Sequence, residues 1–149
     1  MKLESEIKQE SFRSEYQKLV VNLLYTGGWI SLKSHGMLKP YNLTTQQYNI
    51  LRILKGQHPN PSTVNLLIER MMDKMSNASR IVDRLEDKKL VVRKQKSDDK
   101  RCVDIVITEK GIKLLEKIQS TEENFESVLK NLNKSEAKTL NDLLDKLRG

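Results

Sequence analysis

The densest group of chemically active side chains in this 149-residue sequence is a run of cations between Lys74 and Arg101. The window holds ten basic and five acidic residues, so it carries +5 of the formal net charge of +7. Clustered Lys and Arg side chains neutralise phosphates and release counterions, which favours binding to a nucleic acid. The pattern therefore indicates a polyanionic partner. The basic residues are Lys74, Arg80, Arg84, Lys88, Lys89, Arg93, Lys94, Lys96, Lys100 and Arg101.

Side chains that would support catalysis or metal binding are sparse. The sequence has a single cysteine, Cys102, and two histidines, His35 and His58. It contains no Gly-rich phosphate loop and no nucleophile–base pattern, and one cysteine with two separated histidines does not supply a closed zinc site. We therefore expect no enzyme activity, no cofactor and no metal. Cys102 has basic neighbours that favour a reactive thiolate, but we interpret it as a small strand residue.

The composition is typical of one water-soluble domain spanning residues 1–149. Hydrophobic residues make up 37% of the chain and charged residues 32%. The apolar clusters are too short to cross a bilayer, and the N-terminus lacks the apolar stretch of a signal peptide. We expect a cytoplasmic protein with no membrane partner.

Hydrophobic periodicity predicts helices on both sides of a short β-region. Residues 5–37 are expected to form one long helix, which the pair Gly27-Gly28 bends or loosens. Three short helices are expected within residues 44–89. The first of these begins with Thr44 and Gln47, spaced as a capping box. The second spans 62–71 and the third 74–89, with Asp73 or Lys74 at the start of the third.

Strand-like residues then replace the helical pattern. Two β-branched runs within residues 90–107 flank a charged turn and predict a β-hairpin. Helical periodicity returns after Thr108, which is placed to cap the next helix, and a last helix is expected over residues 135–148. Three short helices followed by a basic hairpin are typical of a winged helix-turn-helix. The predicted fold is mainly α with a small β-hairpin wing, and residues 44–107 form its DNA-binding lobe.

Two stretches resemble the MarR family of bacterial transcriptional regulators. The more specific one is Asp99-x-Arg101, followed by an apolar strand and Thr108-x-x-Gly111. The second is Ser-Arg-x-Val-Asp-Arg-Leu at residues 79–85. The resemblance covers about residues 43–118. It implies a regulator, expected to be a repressor, that binds duplex DNA.

The resemblance also implies roles for individual residues. Residues near the start of the third short helix would face base edges and phosphates in the major groove, and the wing would reach the minor groove and backbone. Asp99 would orient Arg101. The implied recognition-helix residues are Ser76, Asn77, Ser79 and Arg80, and the implied wing residues are Lys94, Lys96, Asp99, Lys100 and Arg101.

Family members pair through their first and last helices, so residues 5–37 and 108–149 are expected to supply the interface of a homodimer. A roughly palindromic operator follows from the symmetry of such a dimer. Relatives also bind small effectors near the junction of the first helix and the DNA-binding lobe; ordinary packing is the competing interpretation for the aromatic residues there. The dimerisation candidates are Phe12, Tyr16, Leu140, Leu143, Leu144 and Leu147, and the effector-pocket candidates are Tyr25, Trp29, His35 and Tyr41.

Protein binding and RNA binding are two alternatives to DNA binding. A winged helix can bind protein instead, but the core of a protein interface is depleted in Lys, which is abundant in this wing. RNA binding is a weaker alternative, because the predicted strands carry no aromatic residue on which bases would stack.

Overall fold

The computed structural model describes residues 2–95, 103–126 and 129–149 of the chain. Seven α-helices and one antiparallel hairpin lie within these ranges, which bears out the predicted fold class. The helices are α1 (Leu3–Ile7), α2 (Glu15–Leu38), α3 (Thr45–Gln57), α4 (Val64–Arg70), α5 (Ala78–Asp87), α6 (Glu109–Glu126) and α7 (Lys134–Arg148). The strands are β1 (Val91–Gln95) and β2 (Val103–Ile107).

The N-terminal region is two helices, so the prediction of one long helix over 5–37 is wrong. Helix α1 ends at Ile7, its C-cap Lys8 has a left-handed φ of 54°, and a separate helix, α2, begins after Ser14. The Ser14 side chain accepts a hydrogen bond from the amide of Gln17, which caps the new helix. Helix α2 then runs unbroken through Gly27 and Gly28, although glycine has a low helix propensity.

Helix α3 begins as its sequence predicts. Thr44 accepts a hydrogen bond from the amide of Gln47, and the Gln47 side chain accepts one from the amide of Thr44. This reciprocal pair satisfies two amides that the first turn of a helix leaves without partners. The buried face of α3 forms the centre of the core through Ile50, Leu51, Ile53 and Leu54.

The third short helix begins later than the expected residue 74. Residues 73–77 form a turn in which the Asp73 carboxylate accepts hydrogen bonds from the amide of Met75 and the hydroxyl of Ser76. Helix α5 therefore starts at Ala78, with Asn77 as its N-cap. Its inward face has the predicted spacing, since Ala78, Val82 and Leu85 are buried.

The hairpin packs on the same core and is followed directly by α6. Strand β1 extends to Gln95, so Lys94 and Gln95 belong to the strand and not to the charged turn. In the antiparallel register, Lys94 lies opposite Asp104. Thr108 accepts a hydrogen bond from the amide of Gly111 and donates one to the carbonyl of Lys89, which confirms its capping role. A Cβ built on Gly111 would lie 2.5 Å from the carbonyl oxygen of Leu90, so a side chain at this position would force the neighbouring backbone to shift.

In the described part of the chain, no helix combines the length and apolarity needed to cross a membrane. No group of three or more His, Cys, Asp or Glu side chains is arranged to hold a metal ion there either.

Candidate DNA-binding surface

The first turn of α5 presents exposed polar side chains on the side that faces away from the core. Because Ala78, Val82 and Leu85 face the core, the helical period places Ser79 and Arg80 on the opposite side, and both are exposed. Asn77 is exposed as well, but its side-chain oxygen accepts the hydrogen bond from the amide of Arg80 that caps the helix. The side-chain amide nitrogen of Asn77 has no partner among the described residues and remains able to donate to a ligand.

Ser76 lies beneath this face and is tied to the turn. Its hydroxyl donates to a carboxylate oxygen of Asp73 at 2.6 Å, and the other Asp73 oxygen accepts from the amide of Met75 at 3.0 Å. Gln46 of α3 also donates to Asp73. The hydroxyl of Ser76, followed by the side chain of Gln46 and the amide of Met75, holds the pKa of Asp73 below its ordinary value. Asp73 thereby anchors the turn before α5 to α3.

Strand β1 is joined to α5 by one arginine. The guanidinium of Arg93 lies 2.6 Å from a carboxylate oxygen of Asp83 and 2.9 Å from one of Glu86. The same guanidinium donates to the carbonyl of Ser79 at 3.3 Å, and the amide of Arg93 donates to Glu86 at 3.1 Å. Partial burial disfavours the charged guanidinium, but its bonds to Asp83 and Glu86 outweigh this and raise the pKa of Arg93. The positive charge of Arg93 is therefore balanced within the protein by Asp83 and Glu86.

Two further cations of the basic window are used internally. Lys88 donates to the carbonyl of Asn42 and, at 3.0 Å, to the side chain of Gln47, and burial lowers the pKa of Lys88. Lys74 donates to the carbonyls of Ile68 and Glu69 at the end of α4. The charge count in the sequence therefore overstates the positive charge that this surface presents.

Within the described part of the basic window, the exposed cations are Lys74, Arg80, Arg84, Lys89 and Lys94, and of these Lys74 is the one engaged with backbone carbonyls. Arg84 makes only a loose pair with Asp87 of the same helix, at 3.9 Å. Of the predicted wing residues, Lys94 is exposed on β1, whereas Lys96, Asp99, Lys100 and Arg101 lie outside the described residues, as does Cys102. Arg80 and Arg84 lie on α5 and Lys94 on β1, so exposed positive charge extends from the helix to the adjoining strand.

The four effector-pocket candidates do not form one site. Tyr25 and Trp29 line a cavity of about 300 Å³ together with Glu6, Thr26 and Asn131. Tyr41 lies elsewhere: its ring packs against the core and its hydroxyl donates to the carbonyl of Lys117 on α6. His35 is near the end of α2, six residues beyond Trp29, and is not among the described residues that line the cavity.

Five of the six dimerisation candidates lie on α2 and α7, whose apolar side chains are largely exposed, and Phe12 lies in the segment between α1 and α2. Tyr16 on α2 is 83% exposed and Leu143 on α7 is 58% exposed. Leu140 and Leu147 are exposed too, whereas Phe12 and Leu144 are half-buried. A groove of about 400 Å³ separates α2 from α7, and its lining is mostly apolar: Leu19, Asn22, Leu23, Thr26, Gly27, Ile30, Leu140 and Leu144.

Sequence reasoning missed three residues that the structure makes important. In the sequence Arg93 resembles any other surface cation of the basic window, although acids ten and seven residues earlier on α5 are available to pair with it. Asp73 was considered only as a helix start. No sequence pattern points to Glu6, because its hydrogen bond with Tyr25 forms only when α1 packs against α2.

Comparison with known proteins agrees with this architecture. A family model described as "MarR family" matches residues 43–103. The HTH-type transcriptional regulator FarR of Neisseria gonorrhoeae is 27% identical over 138 residues, covering 91% of this chain and 92% of that protein.

Solved structures give the same result for the fold. The organohalide-sensing regulator RdhR-CbdbA1625, determined with bound 2,4-dichlorophenol, has a TM-score of 0.83 at 25% identity and covers 94% of this chain and 85% of its own. A mutant of E. coli MarR in complex with operator DNA has a TM-score of 0.81 at 24% identity and covers 93% of this chain and 99% of its own.

Proposed function

This chain belongs to the MarR family, whose members are transcriptional regulators rather than enzymes, and on that premise we propose that it is a homodimeric repressor that binds duplex DNA and responds to a small-molecule effector. The observation that carries the DNA-binding part is the outward face of α5. There Ser79 and Arg80 are exposed beside the strand that Arg93 joins to the helix. A slender helix of this kind fits the major groove, and an adjoining hairpin reaches the flanking backbone.

The described residues suit two different kinds of contact. Arg80 is at the start of α5, and no ion pair or side-chain hydrogen bond engages its guanidinium in the described part of the chain. It is therefore available for guanine or for phosphate. Arg84 and Lys94 lie farther from the helix start and suit phosphate contacts, which set affinity and position. Asn77, Lys96, Lys100 and Arg101 remain proposed contacts, with Asp99 proposed to orient Arg101.

Dimerisation is proposed from the apolar side chains on α2 and α7. Contiguous exposed apolar surface is unusual for a protein that acts alone and typically marks an interaction site. A twofold pair would place two α5 helices on the same side of the molecule, and operator half-sites about 34–36 Å apart would match them. The proposed interface comprises Phe12, Tyr16, Leu140, Leu143, Leu144 and Leu147.

Repression and effector control are proposed together. A dimer that occupies a promoter site blocks transcription while bound, and a ligand that alters the spacing of the two recognition helices lowers affinity for that site. The small molecule bound to RdhR-CbdbA1625 supports effector control in a protein of similar fold. In the present chain, Tyr25 and Trp29 line a cavity of the size that small ligands occupy.

The test is a fluorescence-anisotropy titration of the intact protein against duplex DNA from upstream of its own coding sequence, with a scrambled duplex of the same composition as the control. We expect at least about a thousandfold preference for the specific duplex and a steep loss of affinity with salt. Equal, weak binding to both duplexes would reject sequence-specific regulation.

One observation favours a second candidate, a winged-helix module that binds protein. Helix α4 and the segment between α4 and α5 expose three large apolar side chains: Ile68 on α4 is 47% exposed, and Met72 and Met75 after it are 81% and 95% exposed. A protein partner would cover such a patch. Binding through it would depend only weakly on salt, so the same salt titration distinguishes the two candidates.

A further inference from the structure

The cavity between α1 and α2 has the chemistry of a cation site. Its walls come from three separate parts of the chain: Glu6 from α1, Tyr25 and Trp29 from α2, and Asn131 from the turn before α7. Its volume of about 300 Å³ is at the small end of ligand-binding cavities. The cavity lies in the helical part outside the DNA-binding lobe, so DNA contacts do not account for its residues.

Two aromatic rings line the cavity from the same side of α2. Tyr25 and Trp29 are four residues apart, so their side chains lie one above the other on the helix surface. They are 39% and 37% exposed, which leaves part of each ring open to a ligand. The negative potential over the face of an indole or phenol ring attracts cations.

The third wall carries a negative charge that no cation neutralises in the described part of the chain. The carboxylate of Glu6 accepts a hydrogen bond from the hydroxyl of Tyr25 at 2.7 Å, and this partner is a neutral phenol. The pKa of Tyr25 is raised by that hydrogen bond, so the phenol stays protonated at neutral pH. Lys18 of α2 is engaged with a different acid, since its ammonium lies 2.6 Å from the carboxylate of Glu4.

We propose that this cavity binds a small organic cation, a substituted ammonium compound with apolar substituents, between Glu6 and the two rings. The proposal rests on the proposed function for one point only, that the cation is the effector. Charge and aromatic contact act together here: the carboxylate attracts the positive head, and Tyr25 and Trp29 cover its alkyl groups. An anionic ligand would meet the repulsion of Glu6.

Occupation of the cavity would connect α1, α2 and the turn before α7. Thr26 lines both this cavity and the apolar groove between α2 and α7. A bound cation would therefore act on the same helices that are proposed to form the dimer interface. This gives the ligand a physical route to the spacing of the two DNA-binding lobes.

Trp29 makes the test direct, because it is the single tryptophan of the chain. Its fluorescence is followed while the intact protein is titrated with choline, or with the uncharged isostere 3,3-dimethyl-1-butanol, at constant ionic strength. We expect saturable quenching by choline and at least about threefold weaker binding of the neutral alcohol, since the two molecules differ only in the charge.

The matched variants are Glu6→Gln and Glu10→Gln. The first keeps a side-chain oxygen that accepts from Tyr25 but removes the charge, and the second removes an exposed acid that does not line the cavity. We expect Glu6→Gln to weaken choline binding about threefold to tenfold without changing the affinity for the alcohol, and Glu10→Gln to have no effect. Equal binding of choline and the alcohol, or equal effects of the two variants, would overturn the cation site.

Operator affinity is measured separately in the presence and absence of choline. Reduced affinity in the wild type and unchanged affinity in Glu6→Gln would support the cation as effector. Choline binding that leaves operator affinity unchanged would overturn the effector assignment. A chain that binds no operator at all would reject the proposed function, while the fluorescence titration would still decide whether the cation site exists.

Discussion

Arg93 and Glu86 are joined through both main chain and side chain: one carboxylate oxygen of Glu86 accepts from the amide of Arg93 at 3.1 Å and the other from its guanidinium at 2.9 Å. Since Glu86 is on α5 and Arg93 on β1, this pair fixes the direction of the hairpin relative to α5. Asp83 adds a second carboxylate to the same guanidinium.

The first prediction concerns the role of Arg93 in positioning the hairpin. Arg93→Met leaves two acids uncompensated on α5, and we expect the free energy of unfolding to fall by about 1 kcal/mol, since all three side chains are partly exposed and screened. Affinity for specific DNA should fall about fivefold to tenfold as the wing loses its fixed orientation. Urea unfolding and fluorescence anisotropy measure the two effects.

Lys94→Met is the matched control on the next residue of the strand. Lys94 is exposed, so we expect its removal to leave stability unchanged and to reduce the slope of log affinity against log salt by about one. Arg93→Met should leave that slope near its wild-type value. If both variants lower the slope equally, Arg93 contacts phosphate directly and the positioning role is wrong.

The second prediction assigns base reading to Arg80. Arg80→Ala should cost about 1–3 kcal/mol of binding free energy with the specific duplex and much less with a scrambled one, because a bidentate contact to a base is sequence-dependent. Arg84→Ala, one turn farther along α5, should weaken both duplexes by the same factor. Parallel anisotropy titrations compare them, and an equal loss on both duplexes in Arg80→Ala would make it a phosphate contact.

The third prediction follows from the lowered pKa of Asp73. Because its pKa is lower in the folded chain than in the unfolded chain, Asp73 stabilises the fold at pH values above its ordinary pKa of 3.8, and that stabilisation is lost as the pH falls through the folded pKa. Asp73→Asn should therefore lower the melting temperature at pH 7, with a smaller difference from wild type at pH 3. Calorimetry at both values is the measurement, and a difference that is the same at pH 3 and pH 7 would contradict it.

The fourth prediction concerns Gly111. A Cβ at this position would lie 2.5 Å from the carbonyl oxygen of Leu90 and 2.8 Å from Cγ1 of Ile107. We expect Gly111→Ala to lower the free energy of unfolding by about 1–3 kcal/mol, because this crowding outweighs the better helix propensity of alanine. Gly56→Ala, with no heavy atom within 4 Å of its Cβ, should instead be neutral or stabilising by up to about 1 kcal/mol. Thermal unfolding of the two variants would refute the crowding argument if both are stabilised.

The fifth prediction concerns the apolar face of α7. Leu143→Glu places a charge on the exposed apolar stripe and should shift the protein from dimer to monomer in light scattering, with a parallel loss of operator affinity. The control, Lys138→Glu, changes the polar face of the same helix, where Lys138 pairs with Asp142. A dimer that survives Leu143→Glu would place the interface elsewhere.

The features that could be read directly from the chain are those decided by near neighbours. The capping box of Thr44 and Gln47, the cap at Thr108 and the buried spacing of Ala78, Val82 and Leu85 all depend on residues within one or two helical turns. Such interactions repeat wherever the pattern occurs, so periodicity and spacing were sufficient to predict the winged helix-turn-helix, although not the break between α1 and α2.

Charge pairing and pocket formation depended instead on contacts between distant elements. Arg93, Lys88 and Lys74 look alike in the chain as surface cations, yet each is held by groups that only the packed fold brings within hydrogen-bonding distance. Glu6 meets Tyr25 because the chain breaks after α1 and returns along α2. A side chain's partners across the fold are set by how the helices and strands pack, and no local pattern encodes that packing.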